Sequence, residues 1–259
     1  MKAVGLAYQA QGDAGPLVVC LHGIGGDASS FAPQLHGLSG ACRVISLSLP
    51  GYGGSDPLEH VSFEGLSDAV LRFMDALGAE NAHLCGHSIG GMIALETACR
   101  APDRVVSLAL IGTTSAFGGR DESFKDAFVA ARLAPLDEGQ TLTDLAPRFV
   151  PEIMGPDAPK DAVEAATRTI AAVPEGTYRA IIRCLVTFNR REDVKGVTAP
   201  ACLIAGALDQ NAPARTMARM AQAMPQAEFH EIAGAGHLIN LEAPEETNRI
   251  LGAFYRSTS

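Results

Sequence analysis

The stretch Gly86-His87-Ser88-Ile89-Gly90 constrains this chain more than any other. It follows Ala82–Cys85, a short apolar run that reads as a buried strand, and leads into Ile89–Arg100, which reads as a helix stopped before Pro102. A serine on so sharp a strand-to-helix turn takes a strained backbone that pushes its Oγ out of the sheet. Glycines two residues to either side are needed because a side chain there would collide with neighbouring backbone. The helix N-terminus then offers free N–H groups and a partial positive charge to a developing oxyanion. His87 should point away from Ser88 on this turn and play a structural part.

The rest of the chain supplies the sheet that such a turn requires. Leu17–Leu21, Arg43–Leu49, Arg104–Ile111 and Ala201–Ala205 are short β-rich runs, and the last two are nearly continuous in apolar residues. Runs of that kind belong to central parallel strands covered on both faces. Ala227–Ile232 is a weaker strand candidate. Phe63, Leu66, Val70, Phe73, Met74 and Leu77 recur at helical spacing, and Pro244–Tyr255 closes the chain as a helix. The alternation predicts an α/β fold with a mostly parallel sheet and right-handed crossovers.

Between Gly118 and Val194 the alternation stops. Ser123–Arg132 and Thr177–Phe188 read as helices, with APLDEG and PEIMGPDAPKD as loops between them. The expected organisation is a core of residues 1–117 and 195–259 with a helical cap, residues 118–194, inserted after the sixth strand. That insertion carries ten of the 20 basic residues, Arg120 among them.

Composition narrows the function classes. With 47% hydrophobic residues the chain can bury a sizeable core, and a net charge of −9 argues against nucleic acid as a partner. The six cysteines show no CxxC pair and no zinc-ligand spacing, so no metal site is expected and the thiols read as reduced. The N-terminal stretch has no signal-peptide pattern and no run approaches a membrane span, so the expected location is the cytoplasm.

HGIGG at His22–Gly26, LPGYGGSD at Leu49–Asp56, GHSIGG at Gly86–Gly91, PDRVVSLALIG at Pro102–Gly112 and GAGHLINLEAPE at Gly234–Glu245 together resemble the α/β-hydrolase superfamily. The wording is most similar to its 3-oxoadipate enol-lactonase and small carboxylesterase branch. One departure is Ser48, where many relatives carry aspartate before LPG. The resemblance implies an α/β-hydrolase fold, a Ser-His-Asp triad and no cofactor. His237 sits in a glycine-flanked loop before the final helix and matches the family's catalytic histidine. His22 matches a position the family uses to hold a loop.

Asp209, after the strand Ala201–Ala205, is the candidate acid, because Gly112–Gly119 contains no carboxylate. The chain order Ser88, Asp209, His237 is the order this fold imposes. The oxyanion hole is expected from the N–H groups of Ile89 and Ile24, with Gly25 as the alternative to Ile24.

These residues point to hydrolysis of a small ester or lactone through an acyl-enzyme. The basic insertion on an acidic body suggests a carboxylate-bearing enol-lactone, with Arg132, Arg183 and Arg190 as candidate anion-binding residues. Against this, acidic residues in the same stretch outnumber the basic ones and could pair with them. Hydrolysis of a carbon–carbon bond in a ring-cleavage product would use the same triad, and a non-catalytic ligand receptor is the competing class. Dehalogenation and epoxide opening are disfavoured, since relatives with those activities carry aspartate at the position of Ser88.

Overall fold

The computed structural model describes residues 1–118 and 122–258, which leaves Arg120 outside the described residues. Eight strands form one sheet: β1 (Lys2–Ala3), β2 (Leu6–Gln11), β3 (Leu17–Leu21), β4 (Arg43–Leu47), β5 (Ala82–His87), β6 (Val105–Ile111), β7 (Ala201–Gly206) and β8 (Ala227–Ile232). Their order is β1-β2-β4-β3-β5-β6-β7-β8. From β4 to β8 every pairing is parallel, whereas β1 and β2 run antiparallel. β5 and β7 are buried along their whole length, as their apolar runs require.

The β1–β2 hairpin is absent from the sequence reading. Only Leu6 of β2 is buried, so its six residues carry little hydrophobic alternation. The hairpin turns through Val4 and Gly5, at φ 43° and 83°, the two-positive-φ turn that suits the twist of paired strands.

Helices cover both faces. α1 (Ala32–Leu38) and the C-terminal α10 (Pro244–Thr258), which follows the one-turn α9 (Ile239–Glu242), pack on one side, where Phe31, Leu35, Leu251 and Phe254 meet Val18, Val44 and Ile204. α2 (Phe63–Ala76), α3 (Ile89–Arg100) and α8 (Ala214–Ala223) cover the other. α2 buries Phe63, Leu66, Val70, Phe73 and Met74 as expected, leaves Leu77 half-buried at its C-cap, and starts at Ser62, whose side chain accepts from the Gly65 N–H. Among the described residues no helix is long and apolar enough to cross a membrane.

Between β6 and β7 lie α4 (Glu122–Asp137), α5 (Leu142–Ile153), α6 (Lys160–Ala171) and α7 (Glu175–Leu185). This departs from the sequence expectation in detail. The APLDEG segment is mostly the end of α4, α5 runs on through Pro151, and α7 stops at Leu185 rather than Phe188. Proline weakens a helix, but Leu133 and Leu136 of α4 and Ala146 and Val150 of α5 are buried, and that packing outweighs the lost backbone bonds. A capping box also starts α5: Asp144 N–H donates to Thr141 Oγ1, and Thr141 N–H donates to Asp144 Oδ2.

The insertion is bolted to the body at its base. Phe117 N–H donates to Phe188 O and Arg190 N–H to Ser115 O. The Arg190 guanidinium lies bidentate on Glu96 of α3, at 2.7 Å to each oxygen.

Candidate active site

The turn from β5 into α3 places Ser88 at φ 54°, ψ −120°, a region that side-chain-bearing residues enter only where surrounding structure enforces it. The enforcement is visible in the two glycines. A Cβ on Gly86 would overlap the Gly90 carbonyl, and one on Gly90 would overlap the Leu21 carbonyl. The elbow is further tied by Ser88 N–H to Ile111 O and by Thr113 Oγ1 donating to Ser88 O at 2.7 Å.

Ser88, His237 and Asp209 are brought together at the carboxyl ends of the strands. His237 Nε2 lies 3.1 Å from Ser88 Oγ, and His237 Nδ1 lies 2.8 Å from Asp209 Oδ2. With Nδ1–H donating to the carboxylate, Nε2 is free to accept from the serine hydroxyl. Asp209 is buried, and its other oxygen accepts from the N–H groups of Asn211 and Ala212. Burial alone pushes this carboxyl upward. The hydrogen bond and charge of His237, with those two N–H groups, outweigh burial and hold Asp209 below its usual value.

The neighbouring histidines serve as struts. His87 is buried, and its Nε2–H donates to the backbone carbonyl of His237 at 2.8 Å. His22 accepts from Leu49 N–H through Nε2 and donates from Nδ1 to Gly23 O. Burial lowers His87 to about 3 and His22 to about 4, so both imidazoles are neutral near pH 7. The His22 loop lies against the elbow: a Cβ at Gly23 would come within 3.3 Å of Ser88 Cβ. None of the N–H groups of Ile24, Gly25 and Ile89 donates to an acceptor among the described residues.

Above Ser88 opens a cavity of about 640 Å³. Ser88 and His237 lie at its floor, and Phe128, Phe149, Tyr178 and Ile182 of the insertion line its roof. At one side Ile170 of α6 presses so closely on Gly25 that a Cβ there would overlap it.

The three candidate arginines separate cleanly. Arg132 lines the cavity with its guanidinium carbon 5.2 Å from the Phe128 ring centre and 4.5 Å from that of Phe149. It has no ion pair among the described residues. Arg183 and Arg190 do not line the cavity. Arg183 is exposed, because Ile182 and Leu185 take the inward positions of α7. Arg190 is committed to Glu96 and Asp193 at the insertion's base.

Sequence reasoning missed Phe128, Phe149 and Tyr178. Phe128 and Arg132 are four apart on α4, a spacing that puts both on one helix face. It also missed Arg148, which lines the cavity while donating to Gln140 Oε1.

Among the described residues, Cys202, Glu228 and His230 bring potential ligand atoms within 4.8 Å of one another across β7 and β8. Burial pushes the Cys202 thiol up, away from the thiolate that a metal would need.

Comparison with known proteins identifies the fold family. The family model described as alpha/beta hydrolase fold matches residues 16–244. The chain is 32% identical over 258 residues to the dihydrolipoyllysine-residue acetyltransferase component of an acetoin cleaving system from Pseudomonas putida. That match covers 96% of this chain and 66% of the relative, so the chain spans just under two thirds of that protein's length. It is 28% identical over 212 residues to 3-oxoadipate enol-lactonase 1 from Acinetobacter baylyi, covering 80% of this chain and 76% of that one. In fold it resembles the crystal structure of the enol-lactonase from Burkholderia xenovorans, with a TM-score of 0.86, 24% identity and coverage of 97% and 96%.

Proposed function

Because the chain belongs to the alpha/beta hydrolase fold family, we propose that it is a serine hydrolase of small esters or lactones, working through an acyl-enzyme with residues 118–194 as a cap over the site. Ser88 Oγ attacks the carbonyl while His237 Nε2 takes its proton, and Asp209 holds the imidazole in the required tautomer and stabilises its charged form. The N–H groups of Ile89 and Ile24 stabilise the tetrahedral oxyanion. His237 then returns the proton to the leaving oxygen and activates water to clear the acyl group. For a lactone the leaving oxygen stays tethered, so ring opening and deacylation give a single hydroxy acid, or its keto form when the ring is an enol-lactone.

The observation that carries this reading is the Ser88–His237–Asp209 chain of contacts, 3.1 and 2.8 Å, on a strained serine at a cavity floor. Ser88→Ala should lower kcat on nitrophenyl butyrate by about a million-fold and abolish labelling by a fluorophosphonate. Turnover at the wild-type rate would overturn the proposal.

A carboxylate-bearing substrate is favoured by Arg132. A guanidinium in an aromatic-lined cavity without a carboxylate partner is suited to bind one bidentately. The likeness to 3-oxoadipate enol-lactonase 1 supports a lactone among such substrates.

A further inference from the structure

Glu242 has no part in the steps above, yet its carboxylate gathers three backbone N–H groups. Oε2 accepts from Gly236 at 2.8 Å and from Gly155 at 2.6 Å, and Oε1 accepts from Leu238 at 2.8 Å. Gly236 and Leu238 flank His237. The N–H of His237 itself donates to Ile153 O at 2.6 Å, and its carbonyl accepts from His87. Three successive amides of this loop are therefore held, two by one anion and one by the insertion.

The outside partners are Ile153, the last residue of α5, and Gly155, at the start of the turn that leads to α6. Loop and turn interlock at backbone distance. A Cβ on Gly155 would overlap the Gly234 carbonyl, and one on Gly236 would crowd Ile153 O and Gly155 N. Bonds to an ionised acceptor are roughly twice as strong as neutral ones, so Glu242 is the strongest tie in this junction.

We infer that Glu242 is a positioning residue for His237, and that it makes the seating of the helical insertion a condition for the placement of that imidazole. The inference rests on His237 acting as the base. If the α5–α6 turn lifts, the Gly155–Glu242 and His237–Ile153 bonds break together, and the loop loses both of these ties to the insertion while Asp209 and Ser88 stay in place. A misplacement of about 1 Å in a reacting group costs about a hundredfold in rate.

Glu242→Gln in the full chain tests this. Glutamine keeps the volume but turns an N–H₂ toward a nest of donors. On nitrophenyl butyrate we expect kcat to fall about 30- to 100-fold with KM within about threefold. The low-field proton resonance of His237 Nδ1–H should shift or vanish, while circular dichroism shows a folded protein. Gly155→Ala, which forces the junction from the insertion side, should move the same resonance, and Glu242→Asp should recover part of the lost rate. A folded Glu242→Gln protein with wild-type kcat and an unmoved resonance overturns the inference. Should that variant not fold, Glu242→Asp and Gly155→Ala decide it, and unchanged kcat and resonance in both overturn it. The resonance needs no turnover, so a failure of the hydrolase reading, seen with Ser88→Ala, is distinguishable from a failure here.

Discussion

At the floor of the cavity Asp209 is held by three hydrogen bonds, and the glycines around Ser88 have no room for a methyl group. On the insertion, Arg132 rests between two rings with no carboxylate beside it among the described residues, and Gly176 of α7 has open space where a Cβ would go. The floor is over-determined, so its geometry survives only as a whole. The cavity-facing side of the roof is set mainly by packing, while its polar ties, such as Arg179 to Asp137, lie at exposed positions, and packing tolerates exchange of apolar groups of similar volume. A fold built this way can keep one reaction and revise what it accepts.

The junction between the two is the sharpest place to break this contrast. Glu96 is 2% exposed and its bidentate partner is Arg190, so Arg190→Met leaves this buried charge with only Arg100 Nε, 3.9 Å away. The expected loss of unfolding free energy is about 3 kcal/mol, toward the lower end for buried pairs because Arg190 is partly solvated. Denaturant titration checks this, and kcat on a neutral ester at 25 °C should stay within about threefold. A large fall in kcat in the folded variant would mean that floor and roof do not separate at this joint.

Next in size is the roof's own charge. Arg132→Met should lower kcat/KM for a carboxylate-bearing lactone by about 10- to 100-fold, the worth of a hydrogen bond to a charged group. For a neutral nitrophenyl ester the change should be within about threefold. Equal losses on both substrates would assign Arg132 to packing through its two rings rather than to recognition.

The smallest effect sharpens the contrast. Gly176→Ala, in the first turn of α7, should raise stability by about 0.5 kcal/mol, read as a higher urea midpoint. The same substitution at Gly90 would drive a methyl into Leu21 O and leave little folded protein.

This asymmetry also governs what the sequence discloses. Ser88 is visible because its turn demands glycine at fixed offsets, and His237 and Asp209 because they follow strands with glycine and turn chemistry. The parallel strands are visible as apolar runs for the same reason: burial on both faces leaves a mark on every residue. The β1–β2 hairpin leaves no such mark, since one face and most of its length meet solvent. α5 is hidden because Pro147 and Pro151 make its segment read as a loop until tertiary packing is known. Nor could three arginines be ranked from spacing. Arg190 finds Glu96 at 94 residues' remove, and Arg132 finds Phe149 on a different helix, so only the folded chain tells a spent charge from an available one. Glu242 is similar: its motif is conspicuous, but its three partners are backbone groups that no residue type announces.

The contact of Ile170 with Gly25 sets a rule for how this pocket can be remodelled. Depth near Ser88 is shared between one bare α-carbon and one branched side chain, so the two positions divide a single volume. Any residue larger than glycine at 25 has to be matched by trimming at 170, and libraries that vary either site alone will sample mostly misfolded or displaced helices. Varied jointly, the pair becomes a dial for the size of the group admitted beside Ser88.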